Sequence, residues 1–153
     1  MKKQILILFV AFISVTAFAQ TATKRVTEFN LDKKTAIQGY DPVAYFTQKK
    51  AVKGKSTLAA TYEGVTYNFS SQANKDLFLK NPASYEPQYG GWCAYAMGAN
   101  GEKVEINPET FKIVDGKLNL FYNAFFNNTL KSWNKDEVNL KKKADASWKK
   151  IIN

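Results

Sequence analysis

The sequence contains no histidine, and that absence removes more chemistry than any other feature of its composition. Ser-His and Cys-His nucleophile pairs, histidine-based zinc sites and the usual proximal haem ligand all need an imidazole. Cys93 is the one cysteine, so no disulfide can form within the chain and stability must come from packing. Without a CxxC pair, thioredoxin-like exchange would need a partner's thiol. No glycine-rich loop has the spacing of a phosphate or dinucleotide cradle. The carboxylates Asp41, Asp76, Glu86 and Asp115 are scattered and define no acid-base pair. Together these absences weigh against an enzyme. Apolar runs are scarce too: after Phe18 no stretch approaches the roughly 20 residues that cross a bilayer. There is no internal repeat and no low-complexity linker.

What is present begins with an export signal. Lys2 and Lys3 precede an apolar run from Ile5 to Phe18, and Ala17-Phe18-Ala19 is a small-x-small cleavage site. Removal of residues 1–19 from a chain of 153 leaves 134, the size of one domain, with a net charge that falls from +9 to +7. The expected localisation is therefore periplasmic or extracellular, with no transmembrane segment once the signal is removed. Residues 20–35 read as a polar, flexible mature N-terminus, with order beginning near Phe29.

The remainder, 36–153, reads as a small α+β domain with two β-hairpins, short helices and a long C-terminal helical segment. Asp41-Pro42 disfavours helix at Asp41 and permits a helical turn from Pro42, which turns Tyr45 and Phe46 inward. Leu58–Tyr62 and Val65–Phe69 flank Glu63-Gly64 as one hairpin, and Phe111–Val114 and Leu118–Tyr122 flank Asp115-Gly116 as the other. Ser70 or Ser71 caps a helix with Ala73, Leu77 and Phe78 on one face, ended by Asn81-Pro82, and a second short helical stretch covers residues 82–85. Paired glycines lead into Trp92-Cys93-Ala94-Tyr95-Ala96-Met97, a buried helical turn ended at Gly98. Residues 124–152 read mostly as helix, with Leu130, Trp133, Leu140, Ala144, Trp148, Ile151 and Ile152 inward.

Three groups of residues are candidates for function. Cys93 and Met97 share a helix face among Tyr89, Trp92 and Tyr95, and a thiolate with a thioether is a soft donor pair suited to copper or haem iron. The same residues also suit an inert core, and a redox or intermolecular thiol is a third reading. The tyrosines, Tyr40, Tyr45 and Tyr89 among them, either line a pocket for a small ligand or fill the core of a domain without disulfides. Asp41 is either a buried charge near such a pocket or an acceptor for the turn before Pro42. Lys131, Lys135, Lys141, Lys142, Lys143, Lys149 and Lys150 make the C-terminal segment basic. A basic face attracts nucleic acid, anionic lipid or an envelope protein partner, or is a solvated helix surface; in an exported chain nucleic acid is not expected.

From Gly39 to Trp148 the chain resembles the secreted branch of YHS-domain proteins, in the wider YHS and TRASH-like group. The resemblance is carried by Gly39-Tyr40-Asp41-Pro42-Val43-Ala44-Tyr45-Phe46, by Tyr62-Glu63-Gly64 with Tyr67-Asn68-Phe69-Ser70-Ser71, and by Asn81-Pro82 with Tyr85. It continues in Pro87-Gln88-Tyr89-Gly90-Gly91-Trp92-Cys93-Ala94, in Ile113-Val114-Asp115-Gly116-Lys117-Leu118 and in Ala144-Asp145 with Trp148. Combined with the unpaired thiol among aromatics, it leads to the expectation of an exported, non-catalytic binding domain that holds a metal ion or small ligand near Cys93; the alternative, drawn from the basic C-terminal helix, is a structural or interaction module of the cell envelope. The metal-associated members are expected to carry cysteines in a DPVCGM-like turn and after the first hairpin. This chain has Ala44 and Ser70-Ser71-Gln72-Ala73-Asn74 there, so the resemblance supports the fold and leaves the chemistry open.

Overall fold

Two Xaa-Gly dipeptides set the frame. Glu63 and Gly64 have φ of 46° and 84°, and Asp115 and Gly116 have 50° and 71°, so each pair supplies the two left-handed residues of a type I′ turn. The flanking segments close into hairpins: β3 (Lys55–Tyr62) with β4 (Val65–Phe69), and β5 (Asn107–Val114) with β6 (Lys117–Phe121). Both run further than the sequence pattern predicts, because a register shift lets the outer half of β3 and of β5 continue past an irregular step.

The computed structural model describes residues 21–153, and the expected export signal at 1–19 lies outside the described residues. The stretch expected to be loose begins instead with a helix over residues 21–28, α1. It is followed by β1 (Leu31–Asp32) and β2 (Thr35–Ala36). The order of the first sheet is β1-β2-β4-β3, and β2 joins β4 in parallel through Thr35 opposite Thr66. Propensity alone missed α1 because its anchor is distant in sequence: Arg25 is buried, pairs with Glu86 and with Glu63 at 3.4 Å, and lies 4.5 Å from the Phe29 ring centroid.

Short helices cover the sheet. They are α2 (Ala44–Thr47), α3 (Gln72–Lys80) and α4 (Pro82–Tyr85), and Ser71 caps α3 by accepting from the Asn74 amide at 3.2 Å. The inward face of α3 is Asn74 and Phe78; the expected Ala73 and Leu77 are exposed, because a buried polar network draws Asn74 inward and turns the helix accordingly.

The C-terminal half departs most from expectation. After β6 the chain forms a further hairpin, β7 (Asn123–Ala124) with β8 (Asn127–Asn128), before α6 (Thr129–Trp133) and α7 (Glu137–Ile152). Helix therefore begins at Thr129, where Asn128 caps it by accepting from the Leu130 amide at 3.1 Å, and the segment is broken between Trp133 and Glu137. The expected inward residues Trp133, Leu140 and Ala144 are buried, and Leu130, Trp148 and Ile151 pack at the edge of the same cluster.

Helix α5 (Ala94–Ala99) runs through Gly98 rather than ending there. A Cβ at Gly98 would lie 2.4 Å from the Leu140 carbonyl oxygen, so this glycine permits the close approach of α5 and α7. Two core clusters result. One, under the first sheet, holds Tyr45, Tyr67, Phe69, Phe78, Leu118 and Leu120; the other, between β6 and α5–α7, holds Met97, Phe121, Trp133 and Ala144. The fold is α+β, as the sequence pattern predicts.

Candidate functional site

Asp41 lies at the start of the α2 turn with no exposed surface. Its Oδ1 accepts from the amides of Val43 at 2.9 Å and Ala44 at 3.3 Å, which is the turn role. Its Oδ2 accepts from the Ser70 amide at 2.8 Å, the Ser70 hydroxyl at 2.6 Å and Asn74 Nδ2 at 2.7 Å. Five donors saturate the carboxylate and tie the α2 turn to the end of β4 and the start of α3. The turn reading describes Oδ1, while Oδ2 belongs to a structural hub.

A second polar group sits between α1 and the first sheet. Glu86 accepts from Arg25 and from the Tyr67 hydroxyl. Burial pulls the Arg25 guanidinium down, but its bond to Glu86 and the charges of Glu86, Tyr67 and Glu63 outweigh this and leave it raised. Tyr67 is pushed well above the ordinary phenol value, first by burial and then by Glu86. Sequence reading missed both groups because Arg25, Tyr67 and Glu86 are far apart along the chain; the signal available was an arginine in an otherwise lysine-rich protein, since guanidinium suits buried pairing.

The aromatic candidates do not converge. Tyr45 donates to the Pro108 carbonyl at 2.8 Å and meets Phe111 edge-on at 4.7 Å. Tyr89, held at φ of 55°, donates to Asp145 of α7 at 3.0 Å. Burial, reinforced by nearby negative charge, raises both hydroxyls far beyond the physiological range, so they act as neutral donors. Tyr40 is half-buried with Lys53 Nζ 4.7 Å from its ring centroid, and Trp92 donates to the Glu28 carbonyl at 2.7 Å. Tyr95 packs against both core clusters.

Cys93 is fully buried at the N-terminus of α5. Its Sγ accepts from the Tyr122 amide at 3.4 Å and lies 3.4 Å from Thr129 Oγ1, which itself donates to the Tyr122 carbonyl at 2.9 Å. Because Thr129 has one hydroxyl hydrogen and commits it to Tyr122, the thiol is the donor to Thr129, and the three groups close a ring of hydrogen bonds. Met97 belongs to the other core cluster, with Phe121, Trp133 and Ala144.

Surface concavity lies elsewhere. A cleft of about 430 Å³ is lined by Val114 and Asp115 of the second hairpin and by Glu137, Val138, Lys141, Lys142 and Asp145 of α7. Lys141 reaches Asp145 at 3.4 Å and Asp115 at 3.7 Å. Lys112 pairs with Glu137, which also accepts from Trp133 Nε1 at 2.8 Å. The Lys112 bond first, and then the Trp133 bond and the Lys112 charge, hold the Glu137 carboxyl below its ordinary value of 4.5 despite some opposing burial.

The first part of this architecture has a recognised pattern. Residues 43–89 match the YHS domain. The YHS segment thus runs from the α2 turn through the first hairpin, α3 and α4 to Tyr89; Asp41, Cys93, Met97 and the α7 cleft fall outside it. No curated protein and no solved structure matches the chain. The YHS domain suggests a metal-binding module. Among the described residues no group of three or more His, Cys, Asp or Glu is placed to hold a metal ion. The Cys93 thiol is already engaged on both sides, and Asp41 is saturated by five donors. These donor sets do not fit a bound metal.

Proposed function

We propose that the protein is an exported, non-catalytic binding module of the YHS type that engages an acidic partner in the cell envelope through the α7 face. The observation that carries this reading is the α7 face: Lys142 and Lys143 stand beside Val138, which is 80% exposed, on a helix whose opposite side is anchored by Leu140 and Ala144, while the acids of the adjoining cleft, Asp115 and Asp145, are paired with Lys141 and Glu137 with Lys112. Lys142 and Lys143 are exposed and make no ion pair among the described residues, so their charge is available to a partner. A rigid helix with an apolar centre and a charged rim is how protein surfaces select partners. Export rests on the residues 1–19 pattern.

The test is charge reversal at Lys141, Lys142 and Lys143. Capture of the partner from envelope extract should be lost in the triple glutamate variant while its thermal stability is kept. Unchanged capture would dismiss the reading. The alternative, a metal ion or small ligand near Cys93, rests on the lone buried thiol rather than on the YHS match at residues 43–89, and would require Cys93 to give up its bonds to Tyr122 and Thr129. Elemental analysis and an absorption spectrum beside Cys93→Ser decide between them: stoichiometric copper, iron or haem that vanishes in the variant would replace the interaction reading.

A further inference from the structure

The hairpin formed by β7 and β8 ends in Phe125-Phe126. The two residues form the loop between Ala124 and its partner Asn127, with φ of 49° and 65°. A two-residue turn of this hand favours Asn-Gly, and bulky side chains there are strained. Neither ring gains burial in return: Phe125 is 91% exposed and Phe126 is as exposed as an isolated residue, at 111%. Two aromatic rings are thus held in water, at a conformational cost, on an otherwise polar hairpin.

The hairpin is firmly mounted. Asn123 Nδ2 donates to Thr110 Oγ1 at 3.0 Å, the Thr129 amide donates to the Tyr122 carbonyl at 3.0 Å, and Asn128 caps α6. The rings are therefore presented by a fixed post rather than by a loose loop.

We propose that Phe125 and Phe126 are a membrane-inserting tip that docks the protein on an anionic phospholipid bilayer. Two observations choose this occupant. The first is area: two phenyl side chains offer about 400 Å² at most, well short of the roughly 800 Å² per partner of a stable protein interface, whereas interfacial insertion needs only a small apolar tip. The second is charge. From Gly116 to Lys135 the chain carries no acidic residue but has Lys117, Lys131 and Lys135; Asp115 and Asp136 bound this stretch, and Lys131 and Lys135 are exposed on and just after the helix that leaves the hairpin. On the adjoining strand Glu109 is exposed, and its neighbour Thr110 accepts from Asn123 at the base of the hairpin. Aromatic insertion with flanking lysines is the combination that binds anionic interfaces. This inference does not rest on the α7 reading and uses different residues.

The experiment is sedimentation of the mature protein with vesicles of phosphatidylglycerol and phosphatidylcholine, beside vesicles of phosphatidylcholine alone. Phe125→Asn with Phe126→Gly installs the preferred turn, so thermal unfolding should show a variant at least as stable as the wild type. The wild type should bind the anionic vesicles, bind the neutral ones more weakly, and lose at least about tenfold in partitioning in the double variant. A single Phe126→Trp variant should gain tryptophan emission that shifts to shorter wavelength with anionic vesicles. Absence of vesicle binding, equal binding by the double variant, or binding abolished only by reversal of Lys141, Lys142 and Lys143 would overturn the proposal. So would concentration-dependent dimerisation that the double variant loses without any vesicle binding, since a second copy would then be the occupant.

Discussion

A buried carboxylate is tolerated only where its oxygens are saturated, and Asp41 meets that condition through bonds from three separate segments. Asp41→Asn keeps the size but turns an amide NH2 toward the donors of Ser70 or of the α2 turn. The expected cost is about 3 kcal/mol, because donors on one side become both unpaired and opposed. Urea unfolding with an unchanged slope checks it; a cost below about 1 kcal/mol would show that the hub relaxes around the amide. Legibility at this scale was uneven. Asp41 was recognisable from Asp-Pro as a turn acceptor, but Ser70 and Asn74, 29 and 33 residues away, were not. Cys93 stood out as the lone thiol, yet nothing in its neighbours announced Thr129 and Tyr122 as the groups that engage it.

Between elements, an ion pair from within β5 ties the second sheet to the C-terminal helices: Lys112 pairs with Glu137 at the start of α7 and also donates to Asn134 at 2.9 Å. The Glu137 carboxyl is held below 4.5 in the folded protein, so the pair contributes stability above that value and loses it as pH falls through and below it. Thermal unfolding at neutral pH and again near pH 3 should therefore show a larger loss for the wild type than for Glu137→Gln. Equal losses would show that the pair contributes nothing measurable. The two long hairpins were legible because Glu63-Gly64 and Asp115-Gly116 are local turn signals. The third hairpin was not: Phe125-Phe126 is an unfavoured turn pair, and a reading by periodicity carried the helix across it. Helix α1 was missed for the related reason that its stability comes from the Arg25–Glu86 contact across the fold.

For the whole molecule, charge is the dominant surface property, at +9 for the chain and concentrated toward its end. If the α7 face engages an acidic partner, capture should weaken steeply as salt rises, because the screening length falls from about 10 Å at 0.1 M to about 3 Å at 1 M. Capture that is indifferent to salt would place the contact on apolar surface instead.

Composition and local pattern determined the α+β class, the hairpin turns, a helix cap at Ser70 or Ser71 and the exclusion of histidine chemistry. Each depends on residues within a few positions of one another. The tertiary structure alone decided the rest. It separated Cys93 from Met97 into two cores, closed the polar hub around Asp41, buried Arg25, and left Phe125 and Phe126 in water. Those outcomes depend on which distant segments meet, and a hydrogen bond or an exposed ring leaves no trace in the order of the residues that make it.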